Sequence, residues 1–371
     1  MAEEKPVISN DVHFEAILAS RDFASLTLAM WGACIHFPPH SCLLLYPGHL
    51  PLLQEQKFAH YLSNASSAGG LIIYCQVSPE SPLIHVLFSR LFRRQTPSQL
   101  RTVALEQAGL SEDAYQALLV FAAAFFANAG NYQGFGDTKF LPGLAQDQLE
   151  KLLKASLAWP ELQSLWAEVK GPLYDISEQR ASLGFASPPA GEKPALTAYN
   201  SSNVGPTDTK LANRFMAKHG LEQWNTRLFK TTKDNKAHFE IRIASVIEGT
   251  VQEAEPFEVA VFEVVAGDYS PLLKRLCHFL ELAKAVASTA EQKLMLVHCL
   301  EHFQKGEPSM HKLATSAWLK HKEASLESYM GFIETYRIPA GTSGEFRGFV
   351  GIVERAGSAK FARLAEKAAG L

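Results

Sequence analysis

The sequence predicts an α+β protein, in which a mostly helical lobe packs around a small antiparallel β-barrel or sheet. Apolar residues recur at intervals of three and four through the first half of the chain, which is typical of helices. Stretches rich in Val, Ile and Phe follow between residues 226 and 265, and several of them alternate with polar residues. Because helices come first and strands later, without regular alternation, an α+β arrangement is favoured over a doubly wound sheet.

Helices are predicted in two groups, one before and one after the strands. The first group comprises residues 13–23, 54–68, 81–128 with breaks, 144–178 and 206–218. The second group comprises residues 269–287, 291–304, 307–324 and 358–368. Asp268 is placed to cap the first helix of the second group, and Thr289 with Gln292 forms a capping box for the next one.

Strands are predicted over residues 226–231, 237–247 and 257–265. The middle segment contains HFEIRIASVI, whose apolar and polar residues alternate as they do in a half-buried strand. Residues 185–194, FASPPAGEKP, are rich in Pro and Gly and predict an exposed connector. Glycines also punctuate residues 131–143, which predicts a structural loop.

The stretch LESYMGFIETYRIPAGTSGEFRGFV, residues 326–350, holds the candidate site. At a period of two, Glu327, Tyr329 and Gly331 share one face of a partly buried strand. A glycine inside a strand often marks the close approach of another backbone or of a ligand. A carboxylate and a phenol side by side are suited to the charged amino end of an extended peptide, with Glu327 pairing the ammonium.

Composition and charge exclude several classes of partner. The 371 residues carry a net charge of −3, which provides no general attraction to nucleic acid or to an anionic membrane. The first residues, MAEEKPVISNDV, lack the basic head and apolar core of a secretory signal, so a cytoplasmic protein is expected. Five scattered cysteines are consistent with reduced thiols in that compartment.

Two groups of residues resemble metal sites. Residues 28–52 show no clear period and contain Cys34, His36, His40 and Cys42, whose spacing is not that of a zinc finger.

The second group is HCLEH, in which His298, Glu301 and His302 follow the H-x-x-E-H order of inverted zinc peptidases. Residues four apart share a face of a helix, so the two histidines could bind one zinc ion with Glu301 as general base. A third protein ligand is needed, and no downstream glutamate has a suitable context.

Four ordered segments resemble the dipeptidyl peptidase III family of zinc metallopeptidases, family M49. The segments are NAGNYQGFGDTKFLPG (128–143), NTRLFK (225–230), AGDYSPLL (266–273), and YRIPAGTSGEFRGFV followed by SAKFARL (336–364). The resemblance extends from about residue 11 to residue 371. Residues 28–52 interrupt it and are interpreted as an atypical insertion.

The resemblance implies an enzyme that releases dipeptides from the free amino end of oligopeptides. By resemblance, Glu327 would bind the peptide amine, and Tyr329 would hydrogen-bond the scissile peptide and its transition state. The family holds zinc on H-E-x-x-G-H and a later E-E-x-x-A-E. Neither motif occurs here, and the dipeptide His-Glu is absent from the sequence.

The resemblance therefore predicts the amino-terminal half of such an enzyme. Residues 1–347 would form the substrate-binding lobe, and residues 348–371 would begin a second, helical catalytic lobe that is truncated. The expected partners are an oligopeptide substrate and the missing catalytic lobe. No metal is expected on this chain, which alone is predicted inactive. The alternatives are a non-catalytic peptide-binding or scaffolding protein derived from that family and, less favoured, a zinc peptidase that uses HCLEH.

Overall fold

The computed structural model of the protein describes residues 53–321, 325–353 and 355–367. The helix predicted at residues 13–23, the interruption at residues 28–52 and the Cys and His side chains within it lie outside these residues.

Helices form most of the described chain and occur in two groups, as the sequence predicts. The first group is α1 (Leu53–Val77), α2 (Ser81–Arg94), α3 (Pro97–Thr102) with a π-helical turn at Val103–Gln107, α4 (Glu112–Asn128), α5 (Gln146–Ala155), α6 (Trp159–Tyr174) and α7 (Pro206–Lys218). The second group is α8 (Ser270–Val286), α9 (Ala290–Lys305), α10 (Pro308–Lys320) and α11 (Arg355–Lys367).

The caps of these helices explain where several of them begin. The Thr289 side chain accepts a hydrogen bond from the Gln292 amide at 3.1 Å, so the predicted capping box of α9 is confirmed. The predicted cap of α8 is wrong, because the residue before that helix is Tyr269 in a left-handed conformation. The Asp268 carboxylate instead accepts hydrogen bonds from Arg227 Nε at 2.7 Å and Nη2 at 2.6 Å.

Four strands form one sheet in the order β1-β2-β4-β3. They are β1 (Thr226–Lys233), β2 (Lys236–Ala244), β3 (Gly249–Phe257) and β4 (Ala260–Asp268). The α+β class is confirmed, but in the described residues this sheet does not close into a barrel, and the pairing of β2 with β4 is parallel. The prediction missed β3, because its sequence GTVQEAEPF is largely polar and exposed at the sheet edge.

The four-stranded sheet has its own apolar core against α7. The Phe215 ring of α7 stacks on Phe262 of β4 with ring centroids 4.5 Å apart, and Phe262 stacks on Phe239 of β2 at 4.9 Å. All three rings are buried. Truncating a buried Phe to Ala typically costs about 3–5 kcal/mol, so this stack is a major source of stability for the sheet.

The two remaining strands form a separate antiparallel hairpin, β5 (Leu326–Glu334) and β6 (Glu345–Ile352). The predicted strand at the start of the candidate stretch is therefore confirmed. One face of this hairpin packs on α1, where a Cβ atom added at Gly348 would lie 2.5 Å from Ser66 Oγ. The absence of a side chain at this position allows the hairpin to approach the helix closely.

Residues 131–143 form the predicted loop, and a buried ion pair anchors it. Lys139 Nζ lies 3.2 Å from Glu80 Oε1, and both side chains are 1% exposed. Arg180 Nη1 donates to the second Glu80 oxygen at 3.2 Å. The loop is thereby attached to Glu80, the residue that directly precedes α2.

Two predicted boundaries can be placed on this fold. The connector at residues 185–194 contains no helix or strand, and its residues from 189 onward are exposed. The predicted junction between residues 347 and 348 falls inside β6, which continues to Ile352. The hairpin therefore extends across the predicted junction.

Candidate functional site

The outward face of the hairpin β5–β6 carries the predicted site residues. Leu326, Ser328, Met330 and Phe332 of β5 are buried, whereas Glu327 is half-buried and Tyr329 is exposed. This alternation follows from the period of two in a strand. It places Glu327 and Tyr329 on the face that points away from α1.

A hydrogen bond from α10 fixes the position of the Glu327 carboxylate. Trp318 Nε1 donates to Glu327 Oε2 at 2.6 Å. Within the described residues, the second oxygen, Oε1, accepts no hydrogen bond. One oxygen is thus held by the protein, while the other remains available to a donor from a ligand.

The Tyr329 side chain lies flat against its cross-strand partner. Tyr329 pairs with Phe349 in the ladder, and the two rings stack with centroids 5.7 Å apart and an interplanar angle of 21°. Tyr329 is 40% exposed. Burial, with a further contribution from Glu334, raises the pKa of Tyr329 above its usual value, while Arg347 opposes the shift. The phenol is therefore protonated at neutral pH and can donate a hydrogen bond.

The close approach expected at Gly331 is made by the protein itself. A Cβ atom at this position would lie 2.7 Å from His311 Cε1 and 3.0 Å from His311 Nδ1. His311 belongs to α10, the helix that also carries Trp318. Helix α10 therefore contacts the outward face of β5 at two points, through the indole at Glu327 and the imidazole at Gly331.

A buried charge cluster lies at the turn end of the hairpin. Arg337 Nη2 donates to Glu345 Oε1 at 2.5 Å, and Arg347 Nη2 donates to Glu345 Oε2 at 2.8 Å. Arg337 also donates from Nη1 to the main-chain oxygen of Asn128 at 3.0 Å. These contacts attach the turn to the end of α4 and hold one carboxylate between two guanidinium groups.

An apolar groove of about 540 Å³ lies beside this cluster. It is formed by the outer side of α4 and by the loop at residues 131–143, with Val120, Phe121 and Phe140 among its lining residues. The exposed ring of Phe135 in the same loop lies 5.1 Å from Tyr336 of the hairpin turn. The groove and the hairpin are thus neighbours on the surface.

The HCLEH residues of α9 are not arranged as a metal site. His302 is 3% exposed, and its Nδ1 lies 3.0 Å from the main-chain oxygen of Glu307. His298 Nδ1 lies 3.6 Å from Glu301 Oε2 on the same helix. Across residues 53–321, 325–353 and 355–367, no group of three or more His, Cys, Asp or Glu side chains could hold a metal ion.

Sequence reasoning missed Trp318, His311 and Arg347 as neighbours of the site. The first two lie on a separate helix, and no local pattern connects that helix to the strand. Arg347 could have been predicted, because it lies two residues after Glu345 and side chains two apart in a strand share one face.

None of the helices in the described ranges has the length and apolar character needed to cross a bilayer.

Comparison with known proteins gives consistent similarities. The model of Peptidase family M49 matches residues 165–371. Dipeptidyl peptidase 3 of Rattus norvegicus is 40% identical over 328 residues, which cover 85% of this chain and 44% of the relative. Dipeptidyl peptidase 3 of Mus musculus is 41% identical over the same shares of both chains. The solved structure of DPP III from Caldithrix abyssi gives a TM-score of 0.45 and 13% identity over 86% of this chain and 43% of that one. The chain spans less than half the length of the curated relatives that it matches.

Proposed function

The chain belongs to peptidase family M49, and from this membership we propose that it supplies the peptide-binding part of a zinc-dependent dipeptidyl peptidase. The proposed reaction releases dipeptides from the free amino end of an oligopeptide. The observation that carries the proposal is the outward face of β5–β6, where the Glu327 carboxylate and the Tyr329 phenol both remain in reach of solvent.

Glu327 is proposed to bind the ammonium group at the amino end of the peptide. Its Oε2 is fixed by the Trp318 indole, so the carboxylate has little freedom to lose when a ligand binds. An ammonium group that donates to Oε1 forms a charge-assisted hydrogen bond, which is about twice as strong as one between neutral groups.

Tyr329 is proposed to donate a hydrogen bond to the scissile peptide and, more strongly, to its transition state. A protonated phenol suits this role because negative charge develops on the carbonyl oxygen during hydrolysis. Stacking on Phe349 limits the rotation of the Tyr329 ring, which favours a fixed direction for its hydroxyl group.

The peptide is proposed to bind as an extended strand added to the hairpin. Each of β5 and β6 has one strand partner among the described residues, so each leaves an edge with main-chain donors and acceptors. In this proposal residues 1–347 form the substrate-binding lobe and residues 348–371 begin the catalytic lobe. Strand β6 then connects the two lobes directly.

The zinc ion of this reaction would activate water as a Lewis acid. The described residues do not fit such a site, because they contain no suitable group of three ligands, and the full sequence lacks the dipeptide His-Glu. No reaction step is therefore assigned to zinc held by these residues. In the proposal, the zinc site belongs to a catalytic lobe that these residues do not form.

Peptide binding tests the roles of Glu327 and the free amine together. The affinity of a fluorescent pentapeptide is measured by anisotropy with a free and with an acetylated amino end, on the unaltered chain and on Glu327→Gln. Each change alone should weaken binding roughly 10- to 100-fold, the range expected for a hydrogen bond to a charged group. Because both changes remove the same contact, combining them should cost little more than either one.

The matched control is Glu253→Gln, which alters an exposed carboxylate on the other sheet and should leave affinity unchanged. Equal binding of free and acetylated peptides would refute the proposal. So would a Glu327→Gln variant that still distinguishes the two peptides by the same factor.

The absence of the family zinc motifs favours a second candidate, a non-catalytic peptide-binding or scaffolding protein. Both candidates predict that the 371-residue chain alone, with zinc added, does not cleave a dipeptide from a chromogenic amine. They differ when a separately produced catalytic lobe of a family member is added. Recovered hydrolysis favours the peptidase, and peptide binding without hydrolysis favours the scaffold. Zinc-dependent hydrolysis by the chain alone that is lost in His302→Gln would instead support the HCLEH alternative.

A further inference from the structure

Arg347 lies on the same face of the hairpin as the proposed peptide site. It is directly opposite Gly331 in the β5–β6 ladder, next to the pair formed by Tyr329 and Phe349. Side chains of directly opposed residues share a face, with Cβ positions about 4.5–5.5 Å apart. Gly331 has no side chain, and the His311 imidazole of α10 occupies the space above it.

Arg347 lies in a cluster of buried charged side chains. Glu345 is shared between the guanidinium groups of Arg347 and Arg337, all with side chains at most 5% exposed. Glu334 also lies close enough to raise the pKa of Arg347, so its negative charge offsets part of the positive charge of the cluster. Glu345 is thus the carboxylate that both guanidinium groups share as a hydrogen-bond acceptor.

One nitrogen of Arg347 has no acceptor. Nη2 donates to Glu345, whereas Nη1 is buried and has no hydrogen-bond partner among the described residues. Burial lowers the pKa of the Arg347 guanidinium, against the opposing effect of Glu345. A buried donor without an acceptor is rare in native structures, because it loses its bonds to water and gains none in return.

Arg227 makes a useful comparison, because its Nη1 is also buried without a partner. Arg227, however, forms its ion pair with a carboxylate that it does not share with another arginine, because Asp268 accepts hydrogen bonds from both its Nε and its Nη2. Arg227 also lies on β1 of the other sheet, away from the candidate site. Arg347 therefore combines an unused donor, an acceptor that it shares with a second guanidinium group, and a position on the proposed peptide-binding face.

We infer that Arg347 determines substrate specificity by binding the carboxylate side chain of an acidic residue in the peptide. The inference rests on the proposed function and adds to it a substrate class, oligopeptides with an acidic residue near the free amino end. A carboxylate is favoured over a neutral acceptor because hydrogen bonds between charged groups are about twice as strong. Since Nη1 is out of contact with solvent, binding requires a neighbouring side chain to move.

Peptide pairs that differ only in charge test the inference on the full 371-residue chain. Alanine-based pentapeptides with a free amino end carry Glu or Gln at each of the first four positions in turn, and their affinities are measured by anisotropy. At one position at least, the Glu peptide should bind about 10-fold more tightly than the Gln peptide. Arg347→Gln should remove this preference while leaving the affinity of the all-alanine peptide within about 2- to 3-fold.

Two further variants complete the design. Arg242→Gln alters a partly exposed arginine of the other sheet and should keep the full preference for Glu. Arg347→Lys retains the charge next to Glu345 without the planar guanidinium, and it should keep a reduced preference. If Arg347→Gln does not fold, as judged by its thermal unfolding, the reduced preference of Arg347→Lys is the deciding measurement.

Equal binding of Glu and Gln peptides at every position would overturn the inference, and binding of neutral free-amine peptides would still leave the proposed function intact. A preference that persists in Arg347→Gln, or in full in Arg347→Lys when Arg347→Gln does not fold, would also overturn the inference. Failure to bind any free-amine peptide would overturn both.

Discussion

Replacement of Gly331 by alanine tests whether the protein or a ligand occupies the space above this residue. The added Cβ would lie 2.7 Å from His311 Cε1. Carbon atoms in contact are normally about 3.5–4.0 Å apart, so the imidazole must move by about 1 Å. Overpacking of this kind costs about 1–3 kcal/mol. Alanine regains about 0.5–1 kcal/mol in a strand because it loses less conformational entropy than glycine. The expected net loss is roughly 0.5–2 kcal/mol.

A double-mutant cycle with His311→Ala isolates this contact. Without the imidazole, Gly331→Ala should become stabilising by about 0.5–1 kcal/mol, so the coupling between the two sites should be about 1–3 kcal/mol. Stability is measured by urea unfolding. Gly171→Ala is the control, because outside its own helix backbone and chain neighbours the added Cβ in α6 meets no atom within 4 Å. Gly171 precedes Pro172, which opposes the usual gain from alanine in a helix, so the expected result is an equal change of stability in both backgrounds.

Equal destabilisation by Gly331→Ala with and without the His311 imidazole would refute the predicted contact. So would a Gly331→Ala variant that keeps its stability and loses only its affinity for the peptide. The second outcome would mean that the glycine leaves room for the ligand rather than for the imidazole of α10.

Three further predictions concern the proposed catalytic role of Tyr329, the pH dependence of stability at His302, and the Lys139–Glu80 ion pair that anchors the loop at residues 131–143. In a full-length family member, Tyr→Phe at the position of Tyr329 should lower kcat about 100-fold with little change in KM, because the lost bond acts on the transition state; an unchanged kcat would refute this role. Burial lowers the pKa of His302 from 6.5 to about 4, so as the pH falls the unfolded chain takes up a proton at this imidazole before the folded chain does. Stability should therefore fall by up to about 1.4 kcal/mol per pH unit between pH 6.5 and 4, and His302→Gln should flatten that slope in urea unfolding. Lys139→Met should cost about 1–3 kcal/mol in urea unfolding, because Glu80 and the main-chain oxygens of Pro172 and Asp175 lose a buried donor while Arg180 still pairs Glu80, and adding Glu80→Gln should recover part of the loss.

Local patterns in the sequence were sufficient to locate the hairpin strand and its two faces. Glu327 and Tyr329 alternate with buried apolar residues, and this period of two is visible without knowledge of the fold. The capping box of α9 was also readable, since its two residues are three positions apart. Strand β3 was missed because edge strands can be polar on both faces, which removes the alternation on which the prediction depends.

Contacts between separate elements could not be predicted from such patterns. The parallel pairing of β2 with β4 depends on which strand is apolar enough for the interior of the sheet, and β4 is more buried than β3. The contacts of His311 and Trp318 with β5 depend on the packing of α10, which periodicity does not specify. His302 similarly matched a metal motif in sequence, but its burial and its contact with the Glu307 carbonyl depend on tertiary structure.

Two of the carboxylates of the hairpin, Glu345 and Glu327, lie in different electrostatic environments, and the difference favours Glu327 as the one that binds a cation. Glu345 is 1% exposed and is surrounded by two guanidinium groups, so its charge is already balanced within the protein. Glu327 is half-buried and receives its hydrogen bond from a neutral indole, which fixes the position of the carboxylate without balancing its charge. Under the proposed function, a peptide ammonium would therefore form an ion pair at Glu327 without displacing a protein cation, whereas at Glu345 it would have to displace a guanidinium group. The unused Arg347 Nη1 at the turn end of the hairpin is the donor to which an acidic side chain of the same peptide would bind under the further inference.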